Sequence, residues 1–278
     1  MRLGVHVRIS KGLLQALDFA RQLKCETIQL FSSNPNSWLR RPLNSELAAE
    51  FERGARALGI SPIILHTPYL VNLASPDQEI WNKSKYALSD ALTRARLLGA
   101  DRVVTHIGSH KGAGLKTGIA RVATAVNEAL ETADGAAVVL ELGAGSGNAV
   151  GSSFEEIADI LAAVKYQDRI GIAVDTAHLY AAGYDISTQQ GVESVFSEIE
   201  RLVGIDQLKV VHLNDTEMPL GSHRDKHHHI ALGRIGYEGF RALLHHPATA
   251  GLPGIIETPA EGIEWDIRNL TILRQLLS

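Results

Sequence analysis

The stretch Ala87-Leu-Ser-Asp-Ala-Leu-Thr-Arg-Ala-Arg-Leu-Leu98-Gly99-Ala-Asp-Arg102-Val-Val-Thr-His106 contains one complete change of hydrophobic period. Over Ala87–Leu98 the apolar residues Ala87, Leu88, Ala91, Leu92, Ala95 and Leu98 recur at i, i+3 and i+4, which lines one face of an α-helix. Gly99 stands where such a helix should stop, since glycine takes the left-handed backbone of a helix end without strain. Arg102–His106 is then short and β-branched, like a strand buried on both faces of a parallel sheet. It ends on a histidine, where the chain leaves the sheet.

The same unit recurs along the chain. Strand-like runs are Leu3–Val7, Thr27–Phe31, Ile63–His66, Arg102–His106, Ala137–Glu141, Gly171–Val174, Leu208–Leu213 and Gly254–Glu257. Helical patterns between them include Gly12–Leu23, Ser45–Leu58, Ile119–Ala133, Phe154–Val164 and Trp265–Leu277. Ser153-x-x-Glu156 reads as a capping box, Asn44 or Ser45 can cap the second helix, and Gly59 marks its end. Eight strand–helix units of roughly 35 residues fill the chain, which predicts an α/β fold: one (β/α)8 barrel over residues 1–278. A doubly wound open sheet would carry a glycine-rich phosphate loop after its first strand, and His6-Val-Arg-Ile-Ser-Lys11 is not one. The glycine-rich Gly143–Gly151 follows the fifth strand and lacks a phosphate-binding lysine, so it reads as a wide loop.

Composition narrows the function. Hydrophobic residues make up 45% of 278, enough for a large core and too many for a disordered chain. A single cysteine excludes an internal disulfide. No apolar run approaches the roughly 18 residues of a membrane span, and MRLGVHVRIS lacks a signal-peptide core, so a cytoplasmic chain without membrane contact is expected. The formal charge of −4 does not advertise a nucleic-acid binder. Twelve histidines are unusual, and their positions matter.

His66, His106, Glu141, His212 and Glu257 fall at or near the ends of expected strands, and Asp175 lies just past one. In a barrel these positions open onto the C-terminal face, where active sites are built. Asp175-Thr-Ala-His178 adds a histidine at i+3, and Asp225-Lys-His227 places two ligand types on one side of an extended segment. One divalent ion takes about four to six ligands, so these groups imply more than one ion. Mixed imidazole and carboxylate donors without thiolate suit Zn2+, Mn2+ or Fe2+. Three divalent ions would also turn the formal charge positive at one mouth, which would attract phosphate.

The remaining polar residues have plainer readings. His6, inside the first strand, is an interior hydrogen-bonded residue, and His245 and His246 are solvated at a helix end. His110, His223, His228 and His229 belong to loops, and Cys25 packs in the core. Tyr69 and Leu70 follow His66 beside the expected mouth. There they either pack over the barrel or form a wedge that enters a duplex and compensates for unstacked bases.

With the site laid out, the chain resembles the endonuclease IV family of apurinic/apyrimidinic endonucleases. Gly4-Val-His-Val, Leu65-His-Thr-Pro-Tyr69-Leu70-Val-Asn72, His106-Ile-Gly-Ser109 and Glu141-Leu-Gly-Ala-Gly-Ser-Gly147 carry the likeness. Asp175-Thr-Ala-His178 with Ala181-Ala-Gly-Tyr-Asp185, His212-Leu-Asn-Asp215, Asp225-Lys-His227 with Ile230 and Gly233, and Ile256-Glu257-Thr258 complete it in family order.

The resemblance implies three metal ions, usually zinc. His66, His106 and Glu141 would hold the first; Glu141, Asp175, His212 and Glu257 the second; His178, Asp225 and His227 the third. It implies an enzyme that cleaves duplex DNA 5′ to an abasic site, leaves a 3′-hydroxyl and trims blocked 3′ ends; a monomer is the separate expectation for its assembly. A hydroxide bridging the first two ions would be the nucleophile, with Glu141 and Glu257 as catalytic ligands. Two departures stand out. Asn36, within Ser33-Asn-Pro-Asn-Ser-Trp38, occupies a position where some members have a DNA-contacting arginine, which Arg40 or Arg41 could replace. Leu142 and Gly143 follow Glu141 where the family often has Asn-Thr. The competing reading is a one-metal sugar isomerase or epimerase of the xylose-isomerase-like barrels, which needs only Glu141, Asp175, His212 and Glu257. His66, His106, His178, Asp225 and His227 discriminate against it.

Overall fold

A computed structural model describes all residues 1–278. Eight parallel strands close into a barrel in sequence order: β1 Arg2–Val7, β2 Thr27–Phe31, β3 Ile63–His66, β4 Arg102–His106, β5 Ala137–Glu141, β6 Ile170–Asp175, β7 Leu208–His212 and β8 Pro253–Ile256. Closure is made by β1 against β8, where Leu3 pairs with Gly254 and Val5 with Ile256. Nine helices surround it: α1 Leu13–Gln22, α2 Ser45–Ala57, α3 Gln78–Leu98, α4 Leu115–Thr132, α5 Phe154–Ala163, α6 Thr176–Ala182, α7 Gln189–Leu202, α8 Gly236–His245 and α9 Ile263–Leu277.

The expected strands are present to within about a residue or two at their ends, which is where such boundaries are least defined. Asp175 is the last residue of β6 rather than the first beyond it, and Glu257 lies just past β8. Helix α3 starts at Gln78, well before Ala87, because Asp77 caps it by accepting from the Ile80 amide at 2.9 Å. Asn44 is the cap of α2. The capping box at α5 is only half formed. Ser153 accepts from Glu156 N, but Glu156 Oε2 reaches past Ser153 to the amides of Gly151 and Ser152 at 2.7 and 3.1 Å.

The core has two parts. The larger lies between strands and helices and includes Phe51, Phe154 and Phe240 on α2, α5 and α8, all fully buried. Cys25 belongs to it, and burial pushes its thiol up to about 12, so it is an inert packing residue. The smaller part fills the barrel interior with Ile64, Val104, Val139, Ala173, Val210 and Ile255, one from each of β3 to β8. Strand side chains alternate, so the residue two positions further along faces the same way. From those six residues the next inward positions are His66, His106, Glu141, Asp175, His212 and Glu257. The apolar plug thus forms the floor of a polar layer at the C-terminal mouth.

Candidate metal centre

The polar layer converges. His66 Nε2 lies 3.1 Å and His106 Nδ1 3.4 Å from Glu141 Oε2. His212 Nδ1 lies 3.1 Å from Glu141 Oε1, 3.3 Å from Glu257 Oε2 and 3.9 Å from Asp175 Oδ2. His227 Nε2 lies 3.5 Å from the same Asp175 oxygen and 3.3 Å from Asp225 Oδ1, and His178 Nε2 lies 3.2 Å from Asp225 Oδ2. All nine sequence candidates are therefore brought together. They form three sets whose donor atoms lie within 4.8 Å of one another: His66, His106 and Glu141; Glu141, Asp175, His212 and Glu257; Asp175, His178 and His227. Glu141 is shared by the first two sets and Asp175 by the last two. Asp225 joins the third through its two histidine contacts, on a side chain 53% exposed.

The donors fit divalent ions. Four ligands at about 2.0–2.1 Å from one ion stand roughly 3.3–3.4 Å apart, close to the separations here. Four of the five imidazoles also have their far nitrogen committed to a carbonyl oxygen. His66 Nδ1 donates to Thr67 O at 2.6 Å, His178 Nδ1 to Leu142 O at 3.0 Å, His227 Nδ1 to Glu257 O at 3.0 Å and His212 Nε2 to Gln29 Oε1 at 2.9 Å. That arrangement turns the lone-pair nitrogens inward together, as metal-ligating histidines require. His227 Nε2 is buried without a hydrogen-bond partner of its own.

Electrostatics point the same way. Burial works against every charge here, yet Asp175 and Asp225 hold His178 well above the usual histidine value. Against the same penalty, Glu257 and Glu141 hold His212 at about 9, and Asp175 and Asp225 hold His227 at about 10. Burial would raise the carboxyls, but His106 and His212 draw Glu141 well below its ordinary range, and His178 and His227 do the same to Asp225. The four carboxylates call for positive charge, which divalent ions supply without protonating the rings.

Several supporting residues escaped the sequence reading. Asp175 caps α6 with Oδ1, accepting from Ala177 N and His178 N at 2.7 and 3.1 Å, and its Oδ2 accepts from Asn214 Nδ2 at 2.6 Å. Asn214 Oδ1 accepts from Glu257 N at 2.8 Å, so one amide fixes two candidate ligands. Gln29, fully buried on β2, contacts His212 and Glu257. A glutamine among Ile and Leu in a parallel strand was the available signal.

Around the centre a cleft of about 950 Å3 opens, lined by His6, Arg8, Phe31, Tyr69 and Lys11 among others. Tyr69 is 59% exposed, with its ring 5.0 Å from Phe31 and 6.2 Å from His106. Its amide donates to Pro35 O at 3.1 Å, tying its loop to the one carrying exposed Asn36. Leu70 beside it is half-buried.

Arg40 lies beside the second loop. Its side chain is only 6% exposed, lies over the Tyr86 ring at 4.5 Å and pairs with Asp90 Oδ2 at 3.7 Å, so α3 holds the charge proposed for DNA. Arg41 is exposed. His246 is not solvated either: it stacks on Phe196 with 4.1 Å between centroids. His6 is the interior hydrogen-bonded residue expected, with Nδ1 2.7 Å from Glu257 Oε1. His110, His223, His228 and His229 belong to no ligand set.

Residues 17–276 match the family described as xylose isomerase-like TIM barrel. A probable endonuclease 4 of Methanoculleus marisnigri is 44% identical over 275 residues, covering 98% of both chains. One from Chloroflexus aurantiacus is 40% identical over 279 residues, covering 99% of this chain and 98% of its own. The crystal structure of endonuclease IV from Thermus thermophilus superimposes with a TM-score of 0.89 at 35% identity, over 100% of this chain and 99% of that one. A D-tagatose 3-epimerase-like protein, at 19% identity and a TM-score of 0.76 over 100% of this chain and 97% of its own, shares the barrel alone.

Proposed function

The chain belongs to the endonuclease IV family of xylose isomerase-like barrels, and from that membership we propose a metal-dependent DNA-repair nuclease acting on abasic sites in duplex DNA. It hydrolyses the phosphodiester 5′ to the lesion and trims blocked 3′ ends. The observation that carries this reading is the run of three donor sets sharing Glu141 and Asp175 at one open mouth.

Three divalent ions, zinc in the first instance, bound by those sets would supply a water ionised near neutral pH and positive charge facing a phosphate. His66, His106 and Glu141 would hold the first, Glu141, Asp175, His212 and Glu257 the second, and His178, Asp225 and His227 the third. The chain's residues do the rest. Glu141 through both its oxygens and Asp175 through Oδ2 keep neighbouring sets in fixed relation. Thr67, Leu142 and Glu257 carbonyls and Gln29 hold the rings so that little reorganisation is needed as charge develops. Oxygen from water bonds to phosphorus and the bond from phosphorus to the 3′ oxygen breaks. That oxygen takes up the proton released by the water and leaves as a 3′-hydroxyl, with the phosphate remaining on the 5′ side of the abasic nucleotide. Tyr69 and Leu70 enter the duplex where a base is missing, which favours damaged over intact DNA because less stacking is lost. A one-metal sugar isomerase would leave His66, His106, His178, Asp225 and His227 without a task.

The test is a duplex with one tetrahydrofuran abasic analogue, incubated with zinc-loaded protein and with protein stripped by chelator. A single nick ending in a 3′-hydroxyl, lost on chelation and restored by metal, is the expected result. Failure to nick at the analogue, or chelator-resistant nicking, would count against the reading.

A further inference from the structure

Strands β3 to β8 each lead to a candidate ligand, whereas β1 and β2 lead to none. At the matching depth those two strands present His6 and Gln29, which are direct register partners across the β1–β2 ladder. Gln29 is fully buried, and a primary amide is tolerated there only if its oxygen and its N–H groups find partners. Besides His6, whose Nδ1 lies 3.0 Å from Gln29 Nε2 but donates to Glu257, its two partners belong to one donor set. Gln29 Nε2 donates to Glu257 Oε1 at 2.6 Å, and Gln29 Oε1 accepts from His212 Nε2 at 2.9 Å.

These contacts allow one arrangement of the amide. A carboxylate only accepts, so the amide nitrogen faces Glu257 and the amide oxygen faces His212. The His212 proton then resides on Nε2, which leaves Nδ1 as the lone-pair nitrogen aimed at Glu141 Oε1 and Glu257 Oε2. Glu257 has its Oε1 occupied twice, by Gln29 and by His6 Nδ1 at 2.7 Å, so Oε2 is the oxygen left to turn inward. His66, His178 and His227 are oriented by main-chain carbonyls, but His212 depends on a side chain, which also restrains a carboxylate of the same set.

We propose that Gln29 is a positioning residue for the second ion: it selects the ring nitrogen of His212 and the carboxylate oxygen of Glu257 that face the ion, without touching ion or substrate. This rests on the metal centre proposed above. Hydrogen-bond partners of metal ligands typically change affinity by about 10- to 100-fold when removed, and Gln29 serves two ligands at once.

The substitution Gln29→Leu keeps apolar bulk and removes both hydrogen bonds, and Gln29→Met is a second version that keeps the side-chain length. Metal-free parent and variants are titrated with Co2+ against a competing chelator, following the cobalt ligand-field absorbance, and bound ions are counted by elemental analysis. The parent is expected to hold three ions. Each variant is expected to bind one of them at least tenfold more weakly and the other two as the parent does. At limiting metal its kcat should fall while KM for abasic duplex stays near the parental value, and excess metal should restore kcat. Parental affinity for all three ions in either folded variant overturns the assignment of Gln29 alone. A parent that saturates with a single ion overturns the metal-centre reading and this inference with it.

Discussion

Replacing Asp215 with asparagine should loosen the loop that carries Asp225 and His227, although Asp215 is not itself a candidate ligand. Asp215 is fully buried, and its side chain accepts four main-chain N–H groups. Oδ1 takes Thr216 N at 2.8 Å and Ile235 N at 3.0 Å, and Oδ2 takes Gly233 N at 2.9 Å and Gly236 N at 3.2 Å. Gly233 packs so tightly that a Cβ there would collide with Asp215 Oδ1 and Thr216 O. In Asp215→Asn one oxygen becomes an NH2 group. Whichever oxygen is replaced, two N–H donors lose their acceptor and meet another donor, in the core at Oδ1 and partly buried at Oδ2. Each buried polar group left unsatisfied costs about 1–3 kcal/mol, so the change destabilises by roughly 2–6 kcal/mol. At about 2 °C per kcal/mol for a chain of this size, Tm should fall by roughly 4–12 °C. Scanning calorimetry on metal-free protein measures that fall, and elemental analysis of loaded protein should show one ion lost, the one held by His178, Asp225 and His227. If the variant melts within about 1 °C of the parent and keeps its full metal content, the four hydrogen bonds are not what fixes the loop.

Glu257→Gln should nearly abolish cleavage and leave duplex binding largely intact, because the amide weakens one ion while the rest of the mouth persists; nicking rates and gel-shift affinity measure this, and turnover within tenfold of the parent would show that Glu257 is not a ligand. The double change Tyr69→Ala, Leu70→Ala should raise KM for abasic duplex at least several-fold and erode its preference over intact duplex, with metal content unchanged; steady-state kinetics on both duplexes decide it, and parental selectivity would return both residues to the scaffold. In metal-free protein the raised values of His212, about 9, and His227, about 10, contribute stability that is complete below the unfolded value near 6.5 and is lost as pH rises through 9 to 10. Its Tm should therefore drop between pH 7 and pH 10 by more than that of zinc-loaded protein, and a metal-free Tm flat across that range would remove the imidazolium–carboxylate account.

The eight strands and six of the nine helices were legible in the sequence because both hydrophobic periods are local, two for the strands and 3.6 for the helices, while α6, α7 and α8 were not among the helical patterns read. The ligand residues were legible for a related reason. Six of the nine, His66, His106, Glu141, Asp175, His212 and Glu257, sit two positions beyond an interior apolar residue of a strand, so strand alternation turns them toward the mouth. His178, Asp225 and His227 were legible only through their short spacing to a neighbouring carboxylate or imidazole. Long-range neighbours carry no such local mark. Closing β1 onto β8 brings His6 against Glu257, 251 positions away, and the barrel places Gln29 between Glu257 and His212. Arg40 follows the same rule. Its place beside the second loop suggested an arginine free for DNA, but the packing of α3 supplies Asp90 and Tyr86, which hold it. A residue's type and period thus set what it can do and which way it faces. Its actual partner, whether a phosphate, an ion or another side chain, is chosen by which distant element the closed core presses against it.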